Sequence, residues 1–187
     1  LYGVPAKLDE IKAICDEHGA VLIEDAAESL SATYKGVQTG TFGKYNAISF
    51  NGNKIITTSG GGMLLSDDEE AIKKARFWST QSRDPAPWYQ HSETGYNYRM
   101  SNIVAGIGRG QLTALEDHVE QKTNIYNKYK TAFESLPITL QPCYFTSLIA
   151  RSLPIPLEAP VMITVLLSIH FAIKHTSKYI NYVKIIS

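Results

Sequence analysis

No single sign of charge prevails in this sequence: Lys plus Arg and Asp plus Glu each number 18, and the formal net charge is zero. No net field therefore recommends nucleic acid or an anionic membrane as a partner. Cysteine is scarce, Cys15 and Cys143 being the only two. A chain of 187 residues with 44% hydrophobic content can build a core without a disulfide staple. Both cysteines read as free thiols of a cytosolic protein. Long hydrophobic runs are also lacking. The most apolar stretch, residues 161–173, offers about 13 residues where about 20 are needed to span a bilayer, and His170 interrupts it. No pair of histidines has zinc-ligand spacing, and no Ser/His/Asp set points to a hydrolytic triad. The start, Leu1-Tyr2-Gly3-Val4-Pro5, has neither an initiator Met nor a secretory signal. It reads as the end of a strand entering a turn, so the expectation is a fragment that begins inside a fold.

What is present alternates helix and strand signals. Residues 6–18 place Leu8, Ile11, Ile14 and Cys15 at helical spacing, with Gly19 as the stop. Ala20-Val21-Leu22-Ile23 is a short apolar run ending in Glu24-Asp25, the pattern of a strand buried on both faces. Residues 45–50 and 62–65 are further strand candidates. Ser66 and Glu69 have capping-box spacing, which predicts a helix to about Trp78. Residues 81–99 form a long polar loop, and loops of this length in compact domains tend to be functional. Ser101 then caps an amphipathic pattern running through Val104, Ile107, Leu112, Leu115, Val119, Tyr126, Tyr129 and Phe133. Gly106, Gly108 and Gly110 lie inside it and read as close helix packing, since no strand precedes them. The alternation predicts an α/β fold with a mostly parallel, doubly wound sheet flanked by helices.

Three features with chemical potential stand between residues 24 and 62. Asp25 sits at the carboxyl end of a strand, the edge where open α/β sheets bind ligands. It could pair with a cationic ring nitrogen or cap the next helix. Ser49 lies in a strand candidate, and Lys54 follows five residues on in the loop Asn51-Gly52-Asn53-Lys54. A lysine amine attacks a carbonyl once it is deprotonated, whereas a lone lysine in such a loop is usually a solvated surface group. Gly60-Gly61-Gly62 suits unusual backbone angles or close approach to a ligand, or else simply a flexible turn.

Several stretches in order resemble the DegT/StrS-type sugar aminotransferases, of the aspartate-aminotransferase fold. They are Ile23-Glu24-Asp25-Ala26-Ala27-Glu28, Thr39-Gly40-Thr41-Phe42-Gly43 and Ser49-Phe50-Asn51-Gly52-Asn53-Lys54, continuing through Gly60-Gly61-Gly62-Met63. Gly95-Tyr96-Asn97-Tyr98-Arg99-Met100 and Ala105-Gly106-Ile107-Gly108-Arg109-Gly110-Gln111-Leu112 follow. The resemblance implies part of the large domain of a fold-type-I transferase dependent on pyridoxal 5'-phosphate, over residues 1–137. It implies that Lys54 holds the cofactor as a Schiff base and that Asp25 pairs with the pyridine nitrogen. Ser49 would bind the cofactor phosphate, and Glu28 would lie near the ring. Asn97 would reach the phosphate of a neighbouring subunit, making the protein a homodimer with shared sites. His91 and Arg99 are weaker candidates for holding a nucleotide sugar, Arg99 through its planar fork.

Relatives that dehydrate sugars carry histidine in place of the lysine, so Lys54 favours transamination. The wording over residues 49–63 and 89–109 is similar to the branch acting on UDP-linked 4-keto-6-deoxy-N-acetyl sugars, including bacillosamine-type transaminases. The implied reaction moves an amino group from glutamate to the 4-keto carbon, in the cytoplasm, toward a cell-surface polysaccharide or glycan. Two other outcomes stay open: a catalytically silent fragment or interaction module, and a regulatory relative that binds the cofactor without turnover. Residues 138–187 depart from the family pattern. They read as a tail foreign to the fold, as a frame change or broken gene would produce.

Overall fold

The computed structural model describes residues 2–144. The reading of residues 138–187 as a foreign tail therefore lies, from residue 145 onward, outside the described residues. Helix α1 (Leu8–Glu17) leads into β1 (Ile23–Asp25), followed by a hairpin of β2 (Thr33–Tyr34) and β3 (Val37–Gln38). Then come β4 (Tyr45–Ser49), β5 (Gly62–Leu65), α2 (Glu69–Ser79), α3 (Asn102–Thr113) and α4 (Leu115–Ala132).

The main sheet has the order β1-β4-β5, and it is mixed. β1 and β4 run parallel, with Ile23 opposite Tyr45 and Asp25 opposite Ala47. β4 and β5 run antiparallel, with Ser49 opposite Gly62. The expected mostly parallel sheet is thus corrected to a small mixed one. No helix stands between β4 and β5, and a parallel return would have required a crossover connection. Gly62 closes this return: a Cβ there would lie 2.4 Å from the carbonyl oxygen of Ile48.

Other expectations shift in detail. The strand begins at Ile23 rather than Ala20, and Val21 and Ile23 are 57% and 69% exposed. With Val21 and Ile23 exposed, the apolar run is not buried on both faces as expected, and among the described residues β1 has a strand neighbour on one edge only. Asp68, not Ser66, caps α2, its carboxylate accepting from the Ala71 N–H at 3.0 Å. Ser66 instead accepts from the Asp68 N–H and donates to the Lys44 carbonyl, joining the end of β5 to the start of β4. Ser101 caps α3 as its spacing predicts. The amphipathic pattern it opens is two helices that break at Ala114. Only Gly108 of the three helical glycines packs closely, its would-be Cβ meeting Thr58 at 2.9 Å, while Gly106 and Gly110 face open space.

The core joins sheet and helix. Ala26, Ile48, Phe50, Ile56, Met63 and Leu65 pack with Leu115 and Val119 of α4, and Ile55 and Leu112 lie against them. Burial of such side chains contributes roughly 1.5–3 kcal/mol each, so α4 is fastened to the segment that follows β4. Glu24 is a buried acid within β1. Its two oxygens accept from the N–H groups of Gly40 at 2.7 Å and Phe42 at 2.9 Å. Gly40 there has φ +83, a backbone angle that suits glycine. The stretch Thr39-Gly40-Thr41-Phe42-Gly43 is thereby wrapped around the carboxylate of β1.

Candidate active site

The loop after β4 presents Lys54, and its backbone is held at several points. Lys54 N–H donates to the Asn51 carbonyl at 3.1 Å, and Thr58 N–H donates to the Phe50 carbonyl at 2.9 Å. Thr57 N–H donates to Oε1 of Gln111 in α3 at 3.1 Å. Asn51 N–H donates to Ser49 Oγ at 3.2 Å, which leaves the Ser49 hydroxyl proton available to another acceptor. Gly61 closes the loop with φ +86, so of the glycine readings left open it is the backbone angle that applies.

Lys54 stands between two adjoining clefts. One, of ≈ 530 Å³, includes Asp25, Ala27, Glu28 and Lys54 in its lining, under the N-terminal end of α1. The other, of ≈ 600 Å³, includes Glu28, Ser49, Asn53 and Lys54, with His118, Gln121 and Lys122 of α4 on its far wall. The Lys54 side chain is largely covered, at 16% exposure, and its Nζ lies 3.8 Å from Glu28 Oε1. Glu28 Oε2 accepts from the Tyr2 N–H at 2.9 Å, which steadies the carboxylate beside the amine. Asp25 Oδ1 accepts from the Ala27 N–H at 3.0 Å. That bond turns the chain at the end of β1 and leaves Oδ2 free to meet a ligand.

Four of the seven residues singled out in the sequence therefore converge: Asp25, Glu28, Ser49 and Lys54. The other three stand elsewhere on the chain. Asn97 is exposed and forms an isolated bridge with Thr80. His91 Nδ1 meets the Gln81 carbonyl at 2.8 Å, and its ring tilts against Tyr89. Arg99 is exposed near Arg76; burial, and then the Arg99 charge, hold the Arg76 guanidinium below its ordinary pKa. None of the three lines either cleft with Lys54.

Sequence reasoning missed Tyr2, His118, Gln121 and Lys122, which reach the clefts only through tertiary packing. His118, Gln121, Lys122 and Ile125 do share one helix face by spacing, a signal that becomes readable once α4 is known to face Lys54. Among the described residues no group of His, Cys, Asp and Glu side chains is arranged to hold a metal ion, and no helix is long and apolar enough to cross a membrane.

These residues suit pyridoxal phosphate. They supply a covered primary amine, a carboxylate with a free oxygen, and a hydroxyl with a free proton, around space of the right order for a small cofactor. The chain is 60% identical over 136 residues to EpsN of Bacillus subtilis (strain 168), which bears the name of a pyridoxal phosphate-dependent aminotransferase; the match covers 73% of this chain and 35% of EpsN. It is 39% identical over 130 residues to GDP-perosamine synthase of Caulobacter vibrioides, covering 70% of this chain and 35% of that protein. The fold superposes on the aminotransferase TlmJ from Streptoalloteichus hindustanus with TM-score 0.71 and 27% identity, over 78% of this chain and 41% of that one. The chain thus spans little more than a third of the length of these relatives. The profile of the DegT/DnrJ/EryC1/StrS aminotransferase family matches residues 1–147, and the chain belongs to that family.

Proposed function

We propose that this chain carries the lysine-bearing part of a pyridoxal phosphate-dependent sugar aminotransferase. The observation that carries the reading is the convergence of Lys54, Glu28, Asp25 and Ser49 on two adjoining clefts. When bound, the cofactor supplies an electron sink for the carbon that loses or gains a proton. Lys54 would hold it through Nζ and, once released, move a proton at the substrate carbon. Asp25, through its free oxygen, would keep the ring nitrogen protonated. Ser49 would donate its hydroxyl to the phosphate. Glu28, 3.8 Å from Lys54 Nζ, balances the amine's charge and steadies its position.

The finer reading is transfer of an amino group from glutamate to the 4-keto carbon of a UDP-linked 6-deoxy-N-acetyl sugar. Its support is the wording of residues 49–63 and 89–109. One relative is named for a GDP sugar, so the nucleotide is the first variable to test in the full-length protein. Asn97, exposed and away from its own chain's Lys54, is placed in this reading to serve a second subunit, with His91 and Arg99 on the sugar's side.

The test is a borohydride trap on the purified chain with pyridoxal phosphate, followed by peptide mass spectrometry. The expected result is pyridoxyl label concentrated on Lys54, abolished in Lys54→Ala and weakened in Asp25→Ala. Label scattered over surface lysines would refute the claim that these residues form a cofactor site in this chain.

A further inference from the structure

We propose that His118 is a positioning residue for Lys54, holding from α4 the backbone of the loop on which the lysine stands. The proposal rests on the reading of Lys54 given above. His118 Nδ1 lies 2.9 Å from the carbonyl oxygen of Ile55, which directly follows Lys54 and is 63 positions away from His118 in the chain. A carbonyl can only accept, so Nδ1 carries the proton and this bond sets the imidazole tautomer.

The ring is itself held in place. Leu115 and Val119, one turn before His118 and next to it, are buried in the core at 5% and 2% exposure. α4 therefore cannot roll the ring away from the loop without unpacking them. His118 also lines the same cleft as Lys54 and Ser49. Two helices thus grip the loop: α4 at the Ile55 carbonyl and α3 at the Thr57 N–H. Releasing the first grip frees the Ile55–Ile56 peptide plane to rotate, and with it the backbone direction from which the Lys54 side chain leaves.

The test compares the full chain with its His118→Ala, His118→Asn and His118→Gln variants. Asn places its amide nitrogen near the position of Nδ1, whereas Gln extends toward that of Nε2. Two readouts are taken: hydrogen exchange at the amides of Lys54, Thr57 and Thr58, without cofactor, and the share of pyridoxyl label on Lys54 in the borohydride trap. In His118→Ala, loop exchange should rise about tenfold, as for loss of one net hydrogen bond, with β4 and α4 protection unchanged. The Lys54 share of label should fall. His118→Asn should restore both, and His118→Gln neither.

Unchanged loop exchange in His118→Ala would overturn the proposal. So would rescue by Gln as complete as by Asn, a contrast that decides the matter even if His118→Ala fails to fold. Because exchange is read without cofactor, the two readings fail separately. A His118-dependent loop with no selective label on Lys54 supports the anchor and counts against the cofactor site alone. Selective label on Lys54 with a His118-independent loop overturns the anchor alone.

Discussion

Replacing Ser31 by glycine should stabilise the chain. Ser31 sits at φ +70 in the turn between β1 and β2, is 2% exposed, and its hydroxyl is buried without a hydrogen-bond partner. The left-handed angle costs an L-residue roughly 1–2 kcal/mol. An unsatisfied buried hydroxyl costs about 1–3 kcal/mol on protein mutational scales. Glycine removes both costs and adds back roughly 0.5–1 kcal/mol through the greater freedom of the unfolded chain. The balance is a gain of about 1–4 kcal/mol. For a chain of this size each kcal/mol raises the melting temperature by about 2–4 °C, so Ser31→Gly should melt several degrees higher. The turn should survive the change, because Thr39 Oγ1 ties it by donating to the Ser29 carbonyl at 2.6 Å. Ser31→Ala separates the two costs, since it deletes the hydroxyl and keeps the strained angle. The assay is thermal unfolding followed by circular dichroism, checked by urea titration. A Ser31→Gly protein melting at or below the parent would refute the reasoning, and one no better than Ser31→Ala would refute the contribution of the backbone angle.

Other consequences follow from the same geometry. Glu24→Gln keeps the size of the side chain but turns a donor toward one of the two N–H groups it now accepts from, so it should cost about 2–3 kcal/mol in urea unfolding. Parent-like stability would show that the wrapped segment 39–43 does not depend on this carboxylate. Gly62→Ala drives a Cβ into the Ile48 carbonyl and should destabilise by about 1–3 kcal/mol or more, with loss of amide protection along β4 and β5. Unaltered protection would contradict the close approach. On the surface, hydrogen bonds from Lys35 and then Tyr34 hold the Asp9 carboxyl at about 2, well below the usual carboxylate range, and tie α1 to the β2–β3 hairpin. A depressed folded pKa means the tie contributes above the unfolded value near 3.9 and is lost as pH falls through about 2. Acid titration by NMR should show Asp9 and hairpin signals moving together in that window, and Asp9→Asn should remove the transition.

Much of the fold could be read along the chain because it depends on local chemistry. The spacing of Leu8, Ile11 and Ile14 specifies α1, and the Ser101 side chain caps α3 by reaching only three residues ahead. Asp25 and Ser49 fall toward the ends of short apolar runs, where a strand delivers side chains to a sheet edge, and Lys54 follows in the loop after the second. Strand direction is not a local property. Periodicity marks residues 62–65 as a strand but carries no sign for the antiparallel pairing that places Gly62 against Ser49. The apolar run at residues 20–23 likewise predicts burial, whereas exposure depends on which neighbours flank the strand.

By itself, the sequence determined the family, the approximate helix positions and the Ser101 cap, and through the family resemblance it singled out a lysine, an acid and a hydroxyl as candidate site residues. These are written in residue type and short spacing. Tertiary structure alone decided that Glu28 stands 3.8 Å from Lys54 Nζ, that Glu24 gathers the 39–43 segment, and that His118 and Gln111 grip the lysine's loop from two helices. Each of those contacts joins residues distant in the chain, and only the packing of α3 and α4 against the sheet brings them within hydrogen-bonding or ion-pairing reach.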